Sequence, residues 1–394
     1  MPAVMGNMPH ALDTLPLLRL GRLELGPELR AFAPGSAASD LVVTATVEVP
    51  DSVSEPQYAW DVAWADAVRE AGELGADEGT ARALAGGAGN AVAGGTWVVV
   101  AAHGQVLLAR WLPHGSAAAS IRVGPLPHLQ ELAAFAARRP AHVVVLADRD
   151  AAAVVAHAVG DQHPARRFRA DPKRGPHPGR PPAQHHGERH VTGPEPQSGG
   201  ERNAEFIAAQ VSEAAASVRA HLVLGTGDQH ILDAVAAHLP SPLRPVTTIA
   251  SGTVSTDSDD QLSARIGAAL DGITAEAISA VGGLLASSAA AQDSVPAAVR
   301  GIDAVAEQLA AEQVAVLLVA ADVAREGEGI SYRIGPRPTE LRVGGPDTGI
   351  EVPLEAGLVW AALHQDAIVV QLPDRTGPLA GQPAAALLRR GRAT

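Results

Sequence analysis

AHVVVLADRDAAAVVAHAV, residues 141–159, holds two valine-bearing runs separated by three charges, Asp148, Arg149 and Asp150. Each run has the length and the β-branched content of a strand, and the charges mark where the first must end. The stretch therefore reads as two consecutive strands. Working outward, residues 128–139 carry a helical pattern ahead of the pair, and ERNAEFIAAQVSEAAASVRA (201–220) is an amphipathic helix behind it. HLVLGTGDQ (221–229) reads as a strand entering a glycine turn, DQHILDAVAAHL (228–239) as a helix, and PVTTI (245–249) as a last strand. Strands alternating with helices argue an α/β layer built on a parallel or mixed sheet.

The flanks repeat this mixture. LVVTATVEV (41–49) reads as a strand, and QYAWDVAWADAVREAGEL (57–74) as a helix with Trp60, Trp64, Ala67 and Ala71 on one face. A second helix is predicted at 77–86, and TWVVVAAHGQVLLARWL (96–112) gives two strands about a turn at His103-Gly104, with IRV (121–123) as a further strand. Downstream, alanine-rich helices are predicted over 259–290 and 296–311, then a buried strand VAVLLVA (314–320) and two hairpin-like strands near 330–343. Strand DAIVVQL (366–372) and a terminal helix PAAALLRR (383–390) complete the pattern. The expected class is α/β in three domains: an α+β domain at 1–124, a middle domain at 125–250 and a C-terminal α/β domain at 251–394.

The chain has 394 residues, 46% of them hydrophobic, and a formal charge of −13, which excludes a wholly basic nucleic-acid coat protein. Local contact with RNA stays open, because attraction to phosphate depends on where arginines cluster. The absence of cysteine removes disulfides, thiolate nucleophiles and thiolate metal sites. MPAVMGNMPHALD lacks a charged segment followed by an apolar one, so no signal peptide is expected. The longest unbroken apolar runs are strand-sized, so no membrane span is expected and the protein reads as cytoplasmic.

One stretch is unlike the rest. RRFRADPKRGPHPGRPPAQHHGERH (166–190) contains the only lysine of the chain and four of its fifteen histidines, with almost no apolar residue. Arg166, Arg167, Arg169, Lys173, Arg174, Arg180 and Arg189 face only Asp171 and Glu188 as counter-charges, seven minus two leaving +5. Proline keeps such a segment extended. Residues 160–200 are therefore expected to form a long, poorly ordered loop that can thread a phosphate-lined cavity. Its arginines and lysine, with His185 and His186, are the candidate RNA contacts; the plainer alternative is a solvated insertion.

Other signals weigh less. His186 and His190 stand four apart about Glu188, but Gly187, Pro181 and Pro182 disfavour a helix there and HExxH is absent, so no metal site is expected. Gly225-x-Gly227 lacks the third glycine of a dinucleotide fingerprint, position 230 being His, and no lysine is at hand for a P-loop. A strand-to-helix turn is the better reading. Asp148 and Asp150 have no third carboxylate at an evident spacing, and no GxSxG elbow occurs. No catalytic residue, cofactor or metal is expected.

RRPAHVVVLADRDAAAVV (138–155), GGERNAEFIAAQVSEAAASV (199–218) and HLVLGTGDQHILDAVAAHLP (221–240) occur in an order that resembles the bacterial relatives of the archaeo-eukaryotic release factors and Pelota, a group that includes the Balon-like ribosome hibernation factors. TWVVVAAHGQVLLARWLP and VAVLLVAADVA fit the same scheme. The resemblance implies a ribonuclease H-like middle domain and a C-terminal domain of release-factor domain 3 type. True release factors carry Gly-Gly-Gln in the middle-domain loop, where it promotes peptidyl-tRNA hydrolysis. Here that loop holds Gln184, Gln197 and Gly199-Gly200 but no Gly-Gly-Gln, so peptide release is not carried over.

What the resemblance does imply is a non-enzymatic protein occupying the vacant ribosomal A site, its basic loop reaching along rRNA toward the peptidyl transferase centre. A translational GTPase such as elongation factor Tu is the implied partner, with neither DNA nor membrane involved. Two rivals stand beside it. One is a peptidyl-tRNA hydrolysing rescue factor using Gln184 or Gln197. The other is a small-ligand-binding α/β stress protein using the turn at 225–227.

Overall fold

After a short helix, α1 (Pro27–Ala31), the strand β1 (Val42–Val49) alternates Val43, Ala45 and Val47 with Thr44, Thr46 and Glu48, which gives it one apolar and one polar face. The computed structural model describes residues 19–35, 40–49, 55–87, 89, 95–113, 119–147, 152–160, 165–170, 199–243, 246–249, 259–290, 298–326, 332–343 and 349–389. Contacts divide the chain into two units, residues 1–139 with 273–394, and residues 140–272.

In the first unit, α2 (Pro56–Glu73) and α3 (Glu78–Gly86) cover the apolar face of β1. Trp60, Trp64, Ala67 and Ala71 are the buried stripe, as the periodicity predicts. Trp60 and Trp64 stack at 5.0 Å, and the Trp64 indole N–H donates to the Leu84 carbonyl at 3.2 Å, tying one helix to the next. Asp77 caps α3 by accepting the Thr80 N–H. β2 (Gly95–Ala102), β3 (Gln105–Pro113) and β4 (Ser120–Gly124) complete an antiparallel sheet in the order β3-β2-β1-β4. The β2–β3 turn at His103-Gly104 has φ of 51° and 71°, the paired positive values that suit a tight hairpin.

α4 (Gln130–Arg138) corrects the expected boundary at 124/125. It belongs to the first unit, because Leu132, Ala133 and Phe135 share a core with C-terminal residues such as Trp360 and Leu363. The N- and C-terminal parts of the chain are thus one contact unit, although no sheet among the described residues crosses 125 or 255.

The second unit opens on the strand pair read from the sequence, β5 (His142–Ala147) and β6 (Ala152–His157), followed by β7 (Arg166–Ala170). α5 (Gly199–Val218), β8 (Leu222–Gly227), α6 (Gln229–His238) and β9 (Thr247–Thr248) complete it. The order is β7-β6-β5-β8-β9, with β5, β6 and β7 antiparallel and β5, β8 and β9 parallel. Three antiparallel strands with two parallel ones added beyond the first are the ribonuclease H-like topology. α5 buries Ile207, Val211 and Ala214 against Val143, Val145, Val154 and Val223.

α7 (Asp259–Ala290) starts in one unit and ends in the other. Arg265 donates to the Thr226 hydroxyl at 3.4 Å, while Ala277, Val281 and Leu285 join a core with Val316 and Leu318. Gln261–Ser288 is long and apolar enough to cross a membrane by length and composition alone, which the reading of unbroken apolar runs did not register. Only a third of that window is buried in the protein, Ala277, Val281 and Leu285 among it.

The C-terminal part carries β10 (Ala298–Arg300), α8 (Ile302–Ala310), β11 (Val314–Ala320) and α9 (Val323–Glu326). The short strands β12 (Tyr332–Ile334), β13 (Leu341–Val343) and β14 (Ile350–Val352) form a small antiparallel sheet. α10 (Leu354–His364), β15 (Ile368–Leu372) and β16 (Ala384–Leu388) follow. The main sheet runs β10-β16-β11-β15, with β11 and β15 parallel. Two expectations are corrected here. PAAALLRR is not a terminal helix, since its Ala384–Leu388 is a wholly buried strand in the middle of the sheet. The helix expected from 296 starts at Ile302, because β10 and Gly301, at φ 88°, occupy the residues before it.

Candidate functional site

β7 draws three of the predicted RNA-contacting residues, Arg166, Arg167 and Arg169, into one strand of five residues. It pairs antiparallel with β6 in the register Arg166↔Ala156, Arg167↔Val155 and Arg169↔Ala153. Arg167 is exposed. β7 is the edge strand of its sheet, where charged residues are tolerated because water is available on the outer side. This corrects the reading of 160–200 as one continuous loop: its first arginines are fixed by backbone pairing. Lys173, Arg174, Arg180, His185, His186 and Arg189 lie outside the described residues, as do Asp148, Asp150, Gln184, Glu188, His190 and Gln197. The expected disorder of the segment concerns residues 171–198, which also lie outside them.

The glycine turn after β8 is filled by protein. A Cβ on Gly225 would meet Leu232 and Val246 at 2.9 and 3.0 Å, so this glycine lets helix and strand approach. Gly227 has φ 117°, and a Cβ there would lie 1.8 Å from the Ala147 carbonyl oxygen. The Asp228 N–H donates to that same carbonyl at 2.8 Å, and the Asp228 carboxylate caps α6 through the His230 N–H at 2.9 Å. These features join β5, β8, α6 and Val246, the residue before β9. The turn is a packing device, which removes the main support for a ligand cradle at 225–227.

A second polar site, in the first unit, escaped the sequence reading. The polar face of β1, the start of α10 and the ends of β11 and β15 line a solvent-open pocket of about 150 Å³. Thr44, Thr46, Arg122, His128 and Glu355 are among its walls. The Thr44 hydroxyl accepts the His128 N–H at 3.0 Å, which sets the chain entering α4. The His128 ring nitrogen Nδ1 lies 4.0 Å from Glu355 Oε1, too far for a hydrogen bond. Burial, aided by the positive charge of Arg122, pushes the imidazole down to about 4, so it is neutral at pH 7. The one local signal in the sequence was Thr44 and Thr46 alternating inside a valine strand. Among the described residues, no group of three or more His, Asp and Glu side chains could hold a metal ion.

Residues 141–290 match the model of bacterial archaeo-eukaryotic release factor family 2. No curated protein matches the chain in sequence. Among solved structures, Archaeoglobus fulgidus Pelota is 14% identical over 97% of this chain and 94% of its own, with a TM-score of 0.32. A ribosome-bound archaeal Pelota, from a model with ABCE1, is 12% identical over 95% and 100%, with a TM-score of 0.37. Dom34 of S. cerevisiae, described as interacting with Hbs1, is 10% identical over 76% and 80%, with a TM-score of 0.36. At such identities and scores these three likenesses add nothing to the family match. The matched residues, 141–290, take in the ribonuclease H-like sheet up to β9 and all of α7, and over them the chain is similar to bacterial archaeo-eukaryotic release factor family 2.

Proposed function

We propose that the protein is a non-enzymatic ribosome-binding factor of the release-factor and Pelota type, and that it acts as a hibernation factor in the vacant A site. The observation that carries the reading is the middle unit: a release factor family match on a sheet whose edge strand bears Arg166, Arg167 and Arg169. Guanidinium groups bind phosphates and stack on exposed bases, so a basic edge suits rRNA without sequence selection. The absence of Gly-Gly-Gln supports occupancy without hydrolysis. In this reading residues 171–198 continue from the edge toward the peptidyl transferase centre, residues 1–124 face the decoding centre, and the C-terminal residues meet a translational GTPase such as elongation factor Tu. The setting is the cytoplasm.

Pelleting with ribosomes at low and high salt tests the proposal. The parent should co-sediment at low salt, and Arg166→Ala/Arg167→Ala/Arg169→Ala should do so less. Losing three phosphate contacts should flatten the slope of log affinity against log salt by about 2, at roughly 0.7 per contact on single-stranded RNA. A triple variant that pellets like the parent at every salt concentration would remove the assigned role of β7. Labelled peptidyl-tRNA in a stalled complex should stay intact, and Gln184→Ala/Gln197→Ala should change nothing. Release of peptide would put a rescue factor in place of a hibernation factor.

A further inference from the structure

We propose that the outer face of α2 docks an amphipathic helix of another protein, one whose apolar row is bordered by lysine or arginine. The inference stands apart from ribosome binding. Its first ground is apolar surface left in water. α2 already buries Trp60, Trp64, Ala67 and Ala71, and a helix so placed ordinarily turns charged and polar residues outward. Here Tyr58 is 67% exposed and Val62 46%, and Leu74, directly after the helix, is 51% exposed. Among the described residues Leu284 is the one other large apolar side chain left exposed. Tyr58 and Val62 stand four apart and so adjoin on the helix surface, and Ala65 and Arg69 continue the same exposed line. Tyrosine couples a large apolar ring to a hydroxyl that can stay wet, which makes it a frequent interface anchor.

The partner's charge follows from what borders that line. Glu55, Asp61, Asp66, Glu70 and Glu73 are all exposed against Arg69 alone, five minus one leaving −4. Arg69 is engaged within the helix, its guanidinium 3.4 Å from Asp66 and 2.6 Å from Glu73. Glu55, Asp61 and Glu70 form no ion pair among the described residues. Such a border repels RNA phosphate, and in a two-fold pairing of this face with itself −4 would meet −4. A basic amphipathic helix answers both features at once. Its aliphatic row covers Tyr58 and Val62, and its flanking cations meet the carboxylates. With 18 residues, α2 offers about 27 Å of length to lie along. Few anchors on one helix face make a small interface, so the contact should be transient.

Fluorescence anisotropy with the full-length chain tests this, the probe being a labelled synthetic helix with leucines on one face and lysines on the other. The same peptide with glutamate for lysine, and oligolysine of equal length, are the controls. The leucine–lysine peptide should bind with a Kd of roughly 1–100 µM, weakening as salt is added. The glutamate peptide should not bind, and oligolysine should bind about 10-fold more weakly or less, because charge alone leaves Tyr58 and Val62 uncovered. Tyr58→Ser/Val62→Ser should lower the affinity by about 10-fold or more, and Asp61→Asn/Glu70→Gln by a similar factor. Asp303→Asn/Glu307→Gln, which removes two exposed acids from α8, should leave it unchanged. No binding by the parent, or equal binding by Tyr58→Ser/Val62→Ser, overturns the proposal. So does an equal loss in the α8 variant, since the peptide would then be reading only the acidity of the whole chain. Should the serine variant fail to fold, Asp61→Asn/Glu70→Gln decides: unchanged affinity there refutes the assignment. In sedimentation equilibrium the parent should gain no dimer through this face. A dimer that Tyr58→Ser/Val62→Ser dissolves would make the occupant a second copy and overturn the choice of partner.

Discussion

His128 should make the first unit weaken as the medium turns mildly acidic. In the unfolded chain its imidazole titrates at about 6.5. In the folded chain burial, with the neighbouring Arg122 charge, holds it at about 4. A depressed histidine contributes no difference at pH 7, where both states are neutral. As pH falls through 6.5 the unfolded chain gains a proton that the folded one refuses until about 4, so stability drops over that window. Between pH 7 and 5 the loss from this one group is about 2 kcal/mol. Glu355 does not offset it, lying 4.0 Å from the ring. The perturbation is His128→Gln, which keeps a polar side chain of similar reach and cannot titrate. Urea unfolding of parent and variant at pH 7, 6 and 5 should show the variant gaining on the parent by about 2 kcal/mol between pH 7 and 5. The other histidines are common to both chains and cancel in the difference. Parallel stability curves, within about 0.5 kcal/mol, would mean that the ring is not desolvated as described.

Three further expectations bear on the core. Gly227→Ala should cost more than about 3 kcal/mol and expose the second unit to limited proteolysis, because φ is 117° and the new Cβ would meet the Ala147 carbonyl oxygen. Ile207→Ala, fully buried between α5 and the middle sheet, should lose about 2–5 kcal/mol by chemical denaturation. Thr96→Val should raise stability by about 1 kcal/mol, visible as a higher melting temperature, since the Thr96 hydroxyl is buried without a partner among the described residues.

Much of the architecture could be read from hydrophobic pattern. Trp60, Trp64, Ala67 and Ala71 declared the buried face of α2, and the valine runs about Asp148–Asp150 declared β5 and β6. The failures have physical causes. α10 went unread because Leu354 through Leu363 is buried on all sides and shows no periodicity. Ala384–Leu388 reads as a helix because alanine favours helices locally, whereas the sheet around it offers both faces for burial. β7 was hidden by its arginines, since an edge strand need not look apolar. The pocket was out of reach altogether. Thr46, His128 and Glu355 are separated by most of the chain, and only the shared core of the first unit brings them to one place.

That shared core sets a timetable for synthesis. Val42 and Val98 emerge from the ribosome early, but their cluster closes only with Trp360 and Leu388. At roughly 5–20 residues per second, the interval between residue 139 and Leu388 is about 12–50 s. Throughout it the apolar underside of the first sheet has only part of its core, Leu25, Leu29 and Phe32 from one side and Leu126 to Phe135 from the other, while the second unit, continuous in sequence, is free to fold as it appears. A nascent chain of this protein must therefore be sheltered at its beginning for the sake of its end, and one cut short before β16 would hold a finished middle unit attached to a beginning still exposed to aggregation.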